Sequence, residues 1–130
     1  MVELLETHQR AIESHFGRSL EAIEEPQFLR YGPGDYFVAH KDGNTPLVYD
    51  ETRFRKVSVV IFLSEQSEHP MPERFCGGSL VLHGRCGQSE PPQTVAPVPG
   101  MLVAFPAETT HEVLPITNGE RLSVVSWYRG

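Results

Sequence analysis

The chain has 130 residues, 39% hydrophobic and 22% charged, with a formal net charge of −6. That is one domain, ordinary in composition for a globular protein and small for an enzyme. The acidic balance, with no block of Lys or Arg, argues against a nucleic-acid partner, whose phosphates need the opposite sign. Residues 1–16 carry charges throughout and read neither as a signal peptide nor as a membrane span. Two cysteines, Cys76 and Cys86, are too few for a disulfide framework and read as reduced thiols in a cytoplasmic protein.

In chain order, Leu4, Leu5, His8, Ala11, Ile12, His15 and Phe16 recur at steps of three and four. This predicts an amphipathic helix over 3–16, stopped at Gly17 and packed against a sheet. His8 and His15 read as packing or surface residues rather than ligands. From Phe28 onward the pattern becomes that of strands: Phe28–Tyr31, Tyr36–Asp42, Arg55–Ser64, Ser79–His83, Met101–Phe105, His111–Leu114 and Arg121–Tyr128. Eleven Gly and eleven Pro cluster in the loops between them. One helix followed by about seven strands predicts a mainly β domain over 1–130, a sandwich or barrel rather than βαβ units. Two loops are long, Gly43–Phe54 and the polar Glu65–Phe75, and long loops beside a site usually close over it or hold substrate.

The chemistry concentrates in two places. Tyr31-Gly32-Pro33-Gly34 leads into a strand that ends His40-Lys41-Asp42. A period of two would put His40 and Asp42 on one face, with Tyr36 and Val38 beside them. By itself His-x-Asp recurs by chance and equally describes a strand end facing solvent. Seventy residues on, His111 begins one strand and Arg121 the next, across a turn containing Gly119. Antiparallel pairing through that turn would aim both side chains into one cavity. Two histidines and one carboxylate with other positions open are the ligand set of non-haem Fe(II) oxygenases. An Arg beside them can grip a carboxylate with a two-pronged, charge-assisted pair, and Ser123 shares its face.

These residues stand in the order Tyr31…Gly34…His40-x-Asp42, Gly77-Gly78-x-Leu80, Phe105-Pro106…His111-Glu112-Val113…Pro115, Arg121-x-Ser123…Trp127. From about Phe28 to the end, the chain resembles the Fe(II)- and 2-oxoglutarate-dependent dioxygenases of the prolyl 4-hydroxylase-like branch. The resemblance implies a double-stranded β-helix, a cupin-like jelly roll over about 28–130. It implies Fe(II) held by His40, Asp42 and His111, and 2-oxoglutarate held by Arg121, Tyr31 and Ser123. Val60, Leu80, Val113 and Trp127 would wall the pocket. The implied reaction consumes O2, releases succinate and CO2, and hydroxylates a C–H bond of a prolyl peptide or small amino-acid-like molecule, with ascorbate in support.

Asp42 carries weight within that family, because halogenating relatives replace the carboxylate with a small residue. Phe62 stands where hypoxia-sensing relatives have a cosubstrate-binding Tyr, and Arg121 where collagen-type relatives have Lys. The chain is shorter than most members and lacks the strands and helices that usually precede this first helix. Two other readings remain at this point. An AlkB-like nucleic-acid demethylase would carry a second Arg six residues after Arg121, where this chain has Trp127. A non-catalytic cupin-like metal- or ligand-binding module would make Arg121 and Ser123 incidental.

Overall fold

The run Val57–Phe62 is apolar at every position but Ser58, so a strand here needs cover on both faces. In the computed structural model, which describes residues 1–45, 51–85 and 91–130, it has both covers. The elements are helix α1 (Val2–Phe16) and strands β1 (Ala22–Ile23), β2 (Gln27–Tyr31), β3 (Phe37–His40), β4 (Arg55–Phe62), β5 (Glu65–Gln66) and β6 (Arg74–Gly77). They continue with β7 (Leu80–Arg85), β8 (Gln93–Val95), β9 (Leu102–Pro106), β10 (Thr109–Val113), β11 (Ile116–Asn118) and β12 (Arg121–Arg129).

On β4, Val57, Val59 and Ile61 face outward onto Leu5 and Ile12 of α1, with Leu20, Val124 and Tyr128 completing that layer. Val60 and Phe62 face inward onto Leu80, Phe105, Val113 and Ile116. Each such burial stabilises by roughly 1.5–3 kcal/mol. The helix is fastened further where the buried Tyr128 hydroxyl donates to the Leu5 carbonyl.

One sheet has β12 beside β4 and β4 beside β9, with β1 and β2 both on the far side of β12; the other runs β3-β10-β7-β8, and both are antiparallel throughout. The chain crosses between them repeatedly: β2 in the first, β3 in the second, β4 in the first, β7 and β8 in the second, then β9, β10 and β12 alternately. That alternation is the double-stranded β-helix the resemblance implies. A small third sheet of β11, β6 and β5 closes one end. Among the described residues no helix is long and apolar enough to cross a membrane.

All seven expected strands are present, with ends shifted by at most two residues. The additional β1, β5, β6, β8 and β11 are two to four residues long, too short to display a period, and β5 with the start of β6 occupies the expected Glu65–Phe75 loop. The apolar stripe of α1 is narrower than expected: Leu5 and Ile12 are buried, whereas Leu4 is 43% exposed and His8 and His15 lie on the surface. One expectation needs correction. β10 and β12 do not pair through the Gly119 turn; they lie in different sheets, with β11 between them in sequence and paired to β6. Cys76 is a buried free thiol, and Cys86 lies outside the described residues.

A polar cluster ties the end of α1 to the loops that carry the site. Arg18 pairs with Glu108 and donates to the Lys56 carbonyl at 2.6 Å, while Asn44 bridges Lys56 (2.7 Å) to Glu108 (3.0 Å). Burial opposes the Glu108 charge, but the bonds from Arg18 and Asn44 outweigh it and hold the carboxyl at about 2. A carboxyl depressed by folding stabilises fully above its ordinary value near 4.5, and that contribution is lost as pH falls toward 2. Glu108→Gln is therefore expected to lower stability by about 1–2 kcal/mol at pH 7. Urea unfolding of the two proteins should converge between pH 4.5 and 2.

Candidate active site

The site begins with a register fault. β3 and β10 place His40 opposite His111, and the next aligned pair is Phe37 with Val113. Three residues on β3 thus span two on β10, a bulge that bends the strand and reverses its alternation. Phe37, not the expected Tyr36 and Val38, shares the His40 face, with ring centroids 3.9 Å apart. The strand stops at His40 instead of running through Asp42. A loop places Asp42: its amide and that of Gly43 both donate to the Ala107 carbonyl, at 2.9 and 3.1 Å, just ahead of β10. Gly43 passes so close to the Thr52 carbonyl that a Cβ would sit 2.0 Å from the oxygen.

The result is convergence. Asp42 Oδ1 lies 3.2 Å from His40 Nε2 and 3.4 Å from His111 Nε2, and one ligand atom from each of the three falls within 4.8 Å of the others. His40 Nδ1 donates to the Val38 carbonyl at 2.8 Å and His111 Nδ1 to the Thr109 carbonyl at 2.9 Å. A carbonyl only accepts, so in the neutral rings Nδ1 carries the proton and Nε2 keeps the lone pair a metal needs. The other carboxylate oxygen, Oδ2, accepts from Ser58 Oγ at 2.6 Å and Trp127 Nε1 at 3.0 Å. Burial works against the Asp42 charge, yet the adjoining imidazoles of His111 and His40 and the hydrogen bond from Ser58 overcome it and hold the carboxyl well below the usual range. Burial likewise favours neutral His40, but its bonds to Asp42 and Val38 raise it overall.

Beside this cluster lies a cavity of about 400 Å³ between the two sheets. Val60, Leu80, Val113 and Trp127 line it, with Tyr31 on one wall. At its inner end is Arg121, 3% exposed, with no carboxylate partner among the described residues and with Nε lacking any hydrogen bond. Its guanidinium lies 5.6 Å from the rings of both Tyr31 and Phe62. Burial pushes its pKa down, and an unpaired buried cation of this kind costs several kcal/mol unless an anion joins it. Burial also raises the Tyr31 phenol, against the pull of Arg121, so the hydroxyl keeps its proton as a donor. Gly78, at φ 67°, backs onto the arginine: a Cβ there would meet Arg121 Cδ at 3.2 Å and Ile116 Cγ1 at 3.0 Å. Ser123 is buried outside the cavity wall and accepts from Arg121 Nη1 at 3.3 Å.

These features have a family. The sequence model of the 2OG-Fe(II) oxygenase superfamily matches residues 26–129. The chain belongs to that superfamily. Its similarity to a PKHD-type hydroxylase of Shewanella sp. (strain MR-7) is 33% identity over 102 residues, covering 78% of this chain and 41% of the relative. A PKHD-type hydroxylase of Paracoccus denitrificans (strain Pd 1222) is 36% identical over 107 residues, covering 81% and 43%. A crystal structure of a Pseudomonas putida prolyl-4-hydroxylase is 32% identical with a TM-score of 0.70, covering 96% of this chain and 62% of that one. The chain thus spans about two-fifths of the length of the curated relatives it matches.

Membership of the 2OG-Fe(II) oxygenases implies Fe(II), 2-oxoglutarate and O2. The residues present fit that set: two imidazoles and a carboxylate suit a divalent iron, and an orphaned buried guanidinium suits a dicarboxylic acid. Sequence reasoning missed Ser58 and Phe37. Ser58 had a signal, as the lone hydroxyl in an apolar run, two residues before Val60 and on its face. Phe37 had none, because the bulge is not written in the pattern. Gly43→Ala is expected to destabilise by about 1–3 kcal/mol through overpacking. It should also weaken Mn(II) binding by displacing Asp42, which chemical denaturation and a metal titration would read separately.

Proposed function

We propose that the chain is an Fe(II)- and 2-oxoglutarate-dependent hydroxylase, acting on a prolyl peptide or a small amino-acid-like molecule and releasing succinate and CO2. The observation that carries this is Arg121, a buried cation without an anion among the described residues, facing the same cavity as the His40, Asp42 and His111 cluster. A metal-binding module alone has no need of it. The names borne by similar proteins, PKHD-type hydroxylase and prolyl-4-hydroxylase, support the reaction and the substrate class.

In this reading His40 Nε2, His111 Nε2 and Asp42 hold Fe(II), which when bound supplies the redox chemistry joining 2-oxoglutarate decarboxylation to C–H hydroxylation. Arg121 binds the far carboxylate of 2-oxoglutarate, with Ser123 orienting the guanidinium and Tyr31 adding a hydroxyl donor. Phe62 lies against the guanidinium and not on the cavity wall, and has no hydroxyl to offer, which leaves that hydrogen bond to Tyr31. Val60, Leu80 and Val113 exclude water around the chain of the 2-oxo acid. The intact Asp42 favours hydroxylation over halogenation. Residues 1–130 then form one catalytic unit that works in the cytoplasm, with ascorbate keeping iron reduced and no nucleic-acid partner.

Mn(II) and 2-oxoglutarate are each expected to raise the melting temperature, by about 2.7 kcal/mol of added stability at ligand hundredfold above Kd. Arg121→Ala should lose the 2-oxoglutarate increment and keep the metal increment. His40→Ala and Asp42→Ala should lose both. Aerobic succinate formation with Fe(II), ascorbate and a panel of prolyl peptides and free amino acids then identifies the substrate class. A wild-type protein that binds Mn(II) but shows no response to 2-oxoglutarate would point to a cupin-like binding module instead.

A further inference from the structure

Building on the metal-site reading, we propose that Ser58 and Trp127 are positioning residues that hold Asp42 as a one-oxygen ligand. They reserve Oδ1 for the metal and Oδ2 for the protein. The two oxygens of this carboxylate face opposite sheets. Oδ1 looks to β3 and β10, where the imidazole Nε2 atoms of His40 and His111 lie 3.2 and 3.4 Å away. Oδ2 looks to β4 and β12, where Ser58 Oγ and Trp127 Nε1 donate at 2.6 and 3.0 Å. A carboxylate oxygen accepts about two hydrogen bonds in its plane, so Oδ2 has no lone pair left for a metal.

Neither donor is free to turn away. Ser58 is 1% exposed inside the sheet, and Asp42 is its hydrogen-bond acceptor among the described residues. The indole of Trp127 is covered by the Arg55 guanidinium, 3.7 Å from the ring centroid. Arg55 is itself held in a two-pronged pair with Glu24, at 2.7 and 3.0 Å. A planar cation fixed at one edge and stacked on a ring keeps that ring in one orientation.

The consequence is an open site. With Oδ2 held by the protein, His40, His111 and Oδ1 alone would hold the metal, the open ligand set that suits a 2-oxo acid and O2. An Oδ2 released from Ser58 and Trp127 would compete for that open face. Ser58, which lies off the cavity lining, and Trp127, through its indole N–H, therefore act on 2-oxoglutarate binding by way of Asp42.

The test is isothermal titration of the full chain, saturated with Mn(II), with 2-oxoglutarate. Ser58→Ala and Trp127→Phe are expected to weaken 2-oxoglutarate binding by about tenfold or more, the usual effect of losing an outer-shell partner of a metal ligand. Ser58→Thr, which keeps the hydroxyl, should bind as the wild type does, and urea unfolding verifies that each protein is folded. Unchanged affinity in Ser58→Ala and Trp127→Phe overturns the proposal, as does an equal loss in Ser58→Thr, which would mean filled space and not hydrogen bonding. Should Trp127→Phe fail to fold, the Ser58 pair decides alone. A wild type that takes up no Mn(II) instead overturns the metal-site reading beneath it, so the two failures are told apart.

Discussion

The carboxylate of Asp42 is where the two sheets of this jelly roll meet chemically. One oxygen lies against imidazoles of β3 and β10, the other against a hydroxyl and an indole of β4 and β12. Burying a carboxylate is costly unless it is paired and hydrogen-bonded, and this one is fully provided for. The surrounding backbone serves that arrangement. The bulge on β3 turns His40 inward, the Ala107 carbonyl catches the turn after it, and Gly43 lets the chain pass Thr52. Moving any of these displaces a charge that low-dielectric surroundings do not forgive.

Arg121 presents the opposite case. It is as deeply buried as the core valines, yet its charge has no partner among the described residues. A fold tolerates such a group only if the packing around it is strong enough to bear the cost. Here it lies between two aromatic rings, its stem backed by Gly78, with β12 paired on both sides by β2 and β4. The same unmatched charge that weakens the empty fold makes the cavity selective for an anion. Stability and ligand recognition are thus linked through one side chain.

Much of this was legible in the residues. The apolar run of Val57–Phe62, the helix stop at Gly17 and the strand bearing Arg121-x-Ser123 are local patterns that local physics enforces. His40, Asp42, His111 and Arg121 were identifiable because metal and carboxylate chemistry restricts which side chains serve. Their geometry was harder. The period of two put Val38 beside His40, but a bulge put Phe37 there. Sequence proximity suggested that His111 and Arg121 face one another across a turn, whereas they approach the cavity from different sheets. Ser123 was expected to contact the ligand, and in the structure its hydroxyl accepts from Arg121.

What the sequence determined by itself is therefore the class of fold and the kinds of chemical groups available, because hydrophobic periodicity and donor chemistry are properties of short stretches. What only the tertiary structure decided is which atoms meet: which oxygen of Asp42 faces the histidines, which residues occupy the other, and that Arg121 is left without an anion among the described residues. Those outcomes depend on contacts and strand register between distant stretches of the chain: Asp42 in its loop meets Trp127, 85 residues on, and β3 pairs with β10. A one-residue slip there exchanges every inward side chain for an outward one, and no local pattern records it.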